Sequence, residues 1–125
     1  KQEIVEALRF AELEKLKVTL CGVTDGWKVA DQLKAANVSV VVGPVMRKPV
    51  EEYDTFDAPY ANAGRLHEAG VKLCFRSDSA SNSRNVPFEA AQAVAYGLPA
   101  DVALRGVTLT SAEVLGQSDH IGSIT

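Results

Sequence analysis

Val71-Lys72-Leu73-Cys74-Phe75-Arg76-Ser77-Asp78-Ser79 is the stretch that decides the fold. Its first half is an almost continuous apolar run, and its second half is polar and loop-forming. An apolar run without in-out alternation is the habit of a strand buried on both faces, as in parallel sheets. Gly70, just before it, is a helix stop. The order is thus helix stop, strand, loop. In a parallel α/β architecture, the loop at the carboxyl end of a strand is where ligands and catalytic groups gather. A carboxylate placed there, Asp78, can bind a metal ion or move a proton.

Upstream, the same grammar recurs twice. Val38-Ser39-Val40-Val41-Val42 is the clearest strand, ended by Gly43-Pro44, and Val18-Thr19-Leu20-Cys21 is another, followed by Gly22. Residues 2–16 carry Ile4, Ala7, Leu8, Ala11 and Leu16 near a helical period, with charges on the other face. Thr24 or Asp25 is expected to cap a helix over 26–36, with Val29, Ala30 and Leu33 inward and Asn37 as its left-handed stop. A long loop runs to Asp57, which is expected to cap a helix with Pro59 in its first turn. After an irregular 76–86 loop, Asn85 caps a helix over 86–96. A further helix opens at Pro99 and Asp101 and runs to Gly106, and a short last one begins at Thr110 or Ser111. The predicted order is α-β-α-β-α-β-α-α-α, the signature of parallel βα units with right-handed crossovers.

With 125 residues the chain has the length of one domain and can bury a core. An apolar share of 46% and a charged share of 23% are those of an ordinary globular protein. A net charge of −3 argues against a nucleic-acid surface, which needs a basic stripe. No apolar stretch approaches the roughly 18–20 residues of a membrane span, and no signal peptide is legible. The two cysteines, Cys21 and Cys74, lack zinc-site spacing and read as reduced core thiols, which favours a cytoplasmic location.

Arg76, Arg84 and Asn82 share the loop with Asp78 and can hold a substrate carboxylate, for which an Arg fork is effective. His67 reads as a surface helix residue and His120 as a turn residue beside Asp119. The loop from Met46 to Asp57, with Tyr53 and Phe56, is long enough for a lid or a substrate wall, or for a plain connector. Gly22-Val23-Thr24-Asp25-Gly26 is no phosphate cradle, and neither a nucleophile elbow nor a Cys–His pair is visible.

Several stretches resemble one family in the right order. They are 26–33 (Gly26-Trp27-Lys28-Val29-Ala30-Asp31-Gln32-Leu33), Val40-Val41-Val42-Gly43-Pro44, Tyr60-Ala61-Asn62, 66–71 and Arg76-Ser77-Asp78. Downstream, 89–98, Ala103-Leu104-Arg105-Gly106-Val107-Thr108, Ala112-Glu113-Val114-Leu115-Gly116 and Ile121-Gly122-Ser123 continue it. Together they resemble the C-terminal part of the metal-dependent amidohydrolase superfamily, near its imidazolonepropionase-like members. The resemblance implies a partial (β/α)8 barrel whose three strands are the sixth, seventh and eighth. It implies hydrolysis of C–N bonds in linear or cyclic small-molecule amides, with zinc or a similar divalent metal in the intact enzyme. Asp78 maps onto the family's eighth-strand Asp, a metal ligand and general base.

The departures are as informative. The chain has no His-x-His, and Leu20-Cys21-Gly22-Val23-Thr24 lacks the His that many members carry near the end of the sixth strand. Three strands cannot close a barrel that needs about 250 residues. The expectation is a C-terminal half-barrel piece that holds no metal by itself, is inactive alone, and self-associates through exposed sheet edges. One rival reading is a non-catalytic, self-associating α/β module. Another is a flavodoxin-like domain, which would need about five strands.

Overall fold

A computed structural model describes residues 1–124. Three strands, β1 (Thr19–Cys21), β2 (Ser39–Val42) and β3 (Leu73–Phe75), form one sheet in the order β1-β2-β3. Both pairings are parallel, with Leu20 beside Val40 and Val40 beside Leu73. The helices are α1 (Gln2–Leu13), α2 (Ala30–Ala35), α3 (Ala58–Glu68), α4 (Val86–Ala95), α5 (Ala100–Gly106) and α6 (Leu109–Val114). The expected α/β architecture of parallel βα units is therefore present, element by element. Among the described residues, no helix is long and apolar enough to cross a membrane.

Helix ends follow the stop signals closely. Asn37 takes φ 50°, the Val38 N–H returns to the Leu33 carbonyl, and the Asn37 N–H to that of Lys34. This double return closes the helix and satisfies carbonyls that would otherwise be orphaned. Gly70, at φ 80°, does the same after α3, so Val71 leaves the helix already aimed into β3. Lys15, at φ 52°, closes α1, and the helix ends at Leu13 rather than reaching residue 16.

Other boundaries also differ from expectation. The helix anticipated over 26–36 is a 3-10 turn, Gly26–Val29, followed by α2, and the 76–86 loop contains a second one, Ala80–Asn85. Asp25, Asp57 and Asn85 stand at helix starts but make no side-chain cap hydrogen bond. Asp25 instead turns its carboxylate to Lys28 at 3.5 Å. The last helix opens at Leu109, and the Ser111 hydroxyl donates back to the Gly106 carbonyl at 2.7 Å.

The core lies on one face of the sheet. Val40, Val42, Leu73 and Phe75 pack there against Leu33, Ala63, Leu66, Ala90, Ala93 and Ala103 from the helices. Each fully buried Leu or Val in this layer contributes roughly 1.5–3 kcal/mol relative to exposure. Gly106 brings α5 directly onto β3, because a Cβ there would stand 3.0 Å from the Phe75 ring.

The opposite face carries Thr19, Cys21, Ser39, Val41 and Cys74, which follows from the pairing register. It is not covered evenly: Cys74 is buried beneath α6, whereas Thr19 and Cys21 are exposed. The reading of two core thiols therefore holds for Cys74 and fails for Cys21. A strand's apolar content does not reveal which face lacks a covering layer.

Candidate functional site

The carboxyl ends of all three strands open into one cleft of about 680 Å3. Each loop that forms it is fixed from below or from beside. After β1, Gly22-Val23-Thr24-Asp25 is held by Asn62 of α3, which is almost wholly buried. The Asn62 side-chain amide donates to the Val23 carbonyl at 2.7 Å, and its oxygen accepts the Trp27 N–H at 3.0 Å. After β2, the loop turns through the cis Gly43–Pro44 bond into Val45 and Met46. Both backbone N–H groups donate to one carboxylate oxygen of the buried Glu89 on α4, that of Met46 at 3.1 Å.

Gly43 is needed for a separate reason. Its φ is 131°, and a Cβ would fall 2.1 Å from the Arg76 carbonyl oxygen, so only glycine lets the β2 and β3 loops meet.

After β3, Arg76 donates its backbone N–H to the Val42 carbonyl and leads into Ser77 and Asp78. Asp78 is exposed at the cleft, and the Asn82 amide donates to its Oδ1 at 3.3 Å. Arg76, Asp78 and Asn82 thus share one wall, as the sequence groups them. Arg84, an exposed residue of the same 3-10 turn, is not part of that wall. His67 is half-buried in α3 and His120 is exposed near the C-terminus, and neither lines the cleft.

The long β2–α3 connection divides into two parts. Met46, Arg47, Lys48 and Pro49 line the cleft. The rest is fastened to the 3-10 turn after β1: Lys28 lies 2.5 Å from Asp54 and stands over the Trp27 and Tyr53 rings. The Asp54 hydrogen bond holds the Lys28 ammonium above its ordinary pKa, helped by the charge of Asp25 and opposed by desolvation. Phe56 stacks on Tyr60, which meets Tyr96, and neither Tyr53 nor Phe56, the aromatic residues of the loop read as lid, wall or plain connector, lines the cleft.

Four residues that matter here were given no functional role in the sequence reading: Asn62, Glu89, Arg47 and Lys48. The first two had a visible signal. Asn62 lies one turn before Leu66 and Glu89 one turn before Ala93, so each puts a polar group on a buried helical stripe. A polar residue in that position needs a partner.

A second cavity, about 600 Å3, separates α1 from α2, and its lining mixes apolar residues such as Val5, Leu8 and Val18 with Arg9, Glu12 and Lys15. It lies away from the strand ends and brings together none of the chemistry found at the cleft. Among the described residues, no three His, Cys, Asp or Glu side chains stand together as a group able to hold a metal ion. The donor set of these residues therefore does not itself fit a metal centre. Asp78 is one carboxylate of such a set, and the Glu89 oxygen is occupied by backbone donors.

No protein-family model and no curated protein matches the chain. A solved structure does: the amidohydrolase from Thermotoga maritima superposes with a TM-score of 0.84 at 25% identity. The match covers 99% of this chain and 32% of that one, so the chain spans about a third of the length of the enzyme it resembles. The three parallel strands and their flanking helices form an amidohydrolase-like fold.

Proposed function

We propose that the chain is the C-terminal part of the catalytic domain of an amidohydrolase, an enzyme that hydrolyses C–N bonds of linear or cyclic amides. The observation that carries this reading is the match to the Thermotoga maritima amidohydrolase over 99% of the chain. It is supported by a cleft at the carboxyl ends of the strands, the face on which barrel enzymes build their active sites.

In this reading Asp78 is the general base. An exposed carboxylate at the mouth of the cleft takes a proton from the attacking water and passes it to the leaving nitrogen. Asn82 orients it through a hydrogen bond to Oδ1. Arg76, two residues before Asp78 at the end of the same strand, orients the substrate. A divalent metal of the zinc type would polarise the scissile carbonyl in such an enzyme, with Asp78 among its ligands. The remaining ligands are not found among the described residues. The 125-residue chain by itself is accordingly expected to be inactive.

The test is amide hydrolysis with zinc or manganese present. In the native polypeptide that carries this chain, Asp78→Asn should lower kcat by about 100-fold or more, the usual scale for loss of a general base. Turnover that survives Asp78→Asn unchanged would refute the assignment. Turnover by the 125-residue chain alone, abolished by the same substitution, would overturn its inactivity.

A further inference from the structure

We infer that the cleft selects a ligand bearing a compact oxyanion, a carboxylate or a phosphate, held by Arg76 together with Arg47 and Lys48. The inference rests on the hydrolase reading only for its substrate class: amides that carry such a group beside the scissile bond.

Three observations carry it. First, the three cations come from two different loops and line the same cleft, which has room for a small molecule. Among the described residues none of the three is within ion-pair distance of a carboxylate, whereas Lys28, Lys72 and Arg105 all are. Second, three cations on the wall outnumber its two acidic groups, and Glu89, one of the two, is already engaged by two backbone N–H groups. Asp78 then faces three cations without pairing with any of them, and the cleft keeps a positive excess.

Third, Arg76 Nε is buried and, like Trp27 Nε1 away from the cleft, has no hydrogen-bond partner among the described residues. Buried donors are nearly always satisfied, and an unsatisfied one calls for an explanation. A guanidinium meets an oxyanion through two parallel N–H donors, so a turn of the Arg76 side chain that brings Nε to the cleft would let one bound carboxylate or phosphate satisfy this orphan and neutralise the excess together. Arg47 is set for the same ligand. Its Nη1 donates to the Thr24 hydroxyl at 3.3 Å, which braces the side chain across the loops without cancelling its charge.

The experiment titrates inorganic phosphate and N-acetylglycine into the 125-residue chain at low ionic strength, with the methylamide of N-acetylglycine as a neutral control. Binding is read by calorimetry and by backbone amide shifts at Arg76 and Arg47. One or both oxyanions should bind, the neutral amide should not, and added salt should weaken binding. Which of the two binds more tightly identifies the group.

Arg76→Gln and Arg47→Gln should each weaken binding about tenfold or more. Arg76→Lys, which keeps the charge but loses Nε–H, should fall between wild type and Arg76→Gln. Arg84→Gln should change nothing. Equal binding of the neutral amide, no oxyanion binding, or affinities within twofold of wild type in both Gln variants would overturn the inference. Oxyanion binding by a native polypeptide that hydrolyses no amide leaves the inference standing and removes the hydrolase reading. Hydrolysis of neutral amides alone, insensitive to Arg76→Gln, does the reverse.

Discussion

Replacing Glu89 by alanine should be among the most damaging single changes in this chain. The carboxylate is 5% exposed, and one of its oxygens accepts the backbone N–H groups of Val45, itself 1% exposed, and Met46. A hydrogen bond to a charged acceptor contributes about 1.5–3 kcal/mol net, and a buried donor left unsatisfied costs about 1–3 kcal/mol. The two bonds share one acceptor and are not additive, and solvent reaches the Met46 side more easily. Glu89→Ala should therefore cost about 3–4 kcal/mol, a large part of the roughly 5–15 kcal/mol that stabilises a domain.

Glu89→Gln is the decisive control. Its amide oxygen can still accept both N–H groups, so the cost should be about 1 kcal/mol. The assay is urea denaturation followed by far-UV circular dichroism at one fixed protein concentration, with amide exchange at Val45 and Met46 as the local readout. An alanine variant within about 1 kcal/mol of wild type, or a glutamine variant as damaged as the alanine one, would refute the clamp.

Two further outcomes follow from the sheet. Cys21 is exposed and should react at once with a thiol reagent, while Cys74, buried under α6, should react only on unfolding. Burial pushes the Cys74 thiol up, with the neighbouring Ser111 hydroxyl pulling the other way, so the folded state holds this proton more tightly than the unfolded state. That stabilisation is complete below about pH 9.0, the ordinary thiol value, and is lost as pH rises through the raised folded value. Urea titrations at pH 8 and pH 10 on wild type and Cys74→Ala would measure it, and an identical pH slope in both would contradict the assignment. The open face, with Thr19 and Cys21 exposed, and the free outer edge of β1 should make the chain self-associate. Size-exclusion chromatography with light scattering checks this, and a clean, stable monomer at high concentration would count against it.

Much of the fold was legible because parallel βα units write it locally. Runs such as 38–42 and 71–75 have no polar alternation, and Asn37, Gly70 and Gly97 stop helices where the chain reads as stopping. The clustering of Arg76, Asp78 and Asn82 was legible for the same reason: one short loop follows one strand. What was not legible depends on partners distant in the chain. Glu89 meets Val45 across 44 positions and Asn62 meets Val23 across 39, so neither pairing leaves a local pattern. Arg84 looked equivalent to Arg76 by proximity, yet the 3-10 turn carries it off the wall. The caps expected of Asp25 and Asn85 did not form, and at Asp25 an ion pair with Lys28 takes the carboxylate instead.

The two clamps obey one rule: a side chain from the helix after a given strand secures the turn that follows the strand before it. Asn62 follows β2 and secures the turn after β1, and Glu89 follows β3 and secures the turn after β2. Single βα modules are therefore poor units of exchange. A recombination event that imported one strand with its own helix would separate a turn from its fastener on each side of the graft. Viable shuffling among such proteins should move adjacent modules in blocks, with crossovers placed so that each fastener travels with the turn it secures.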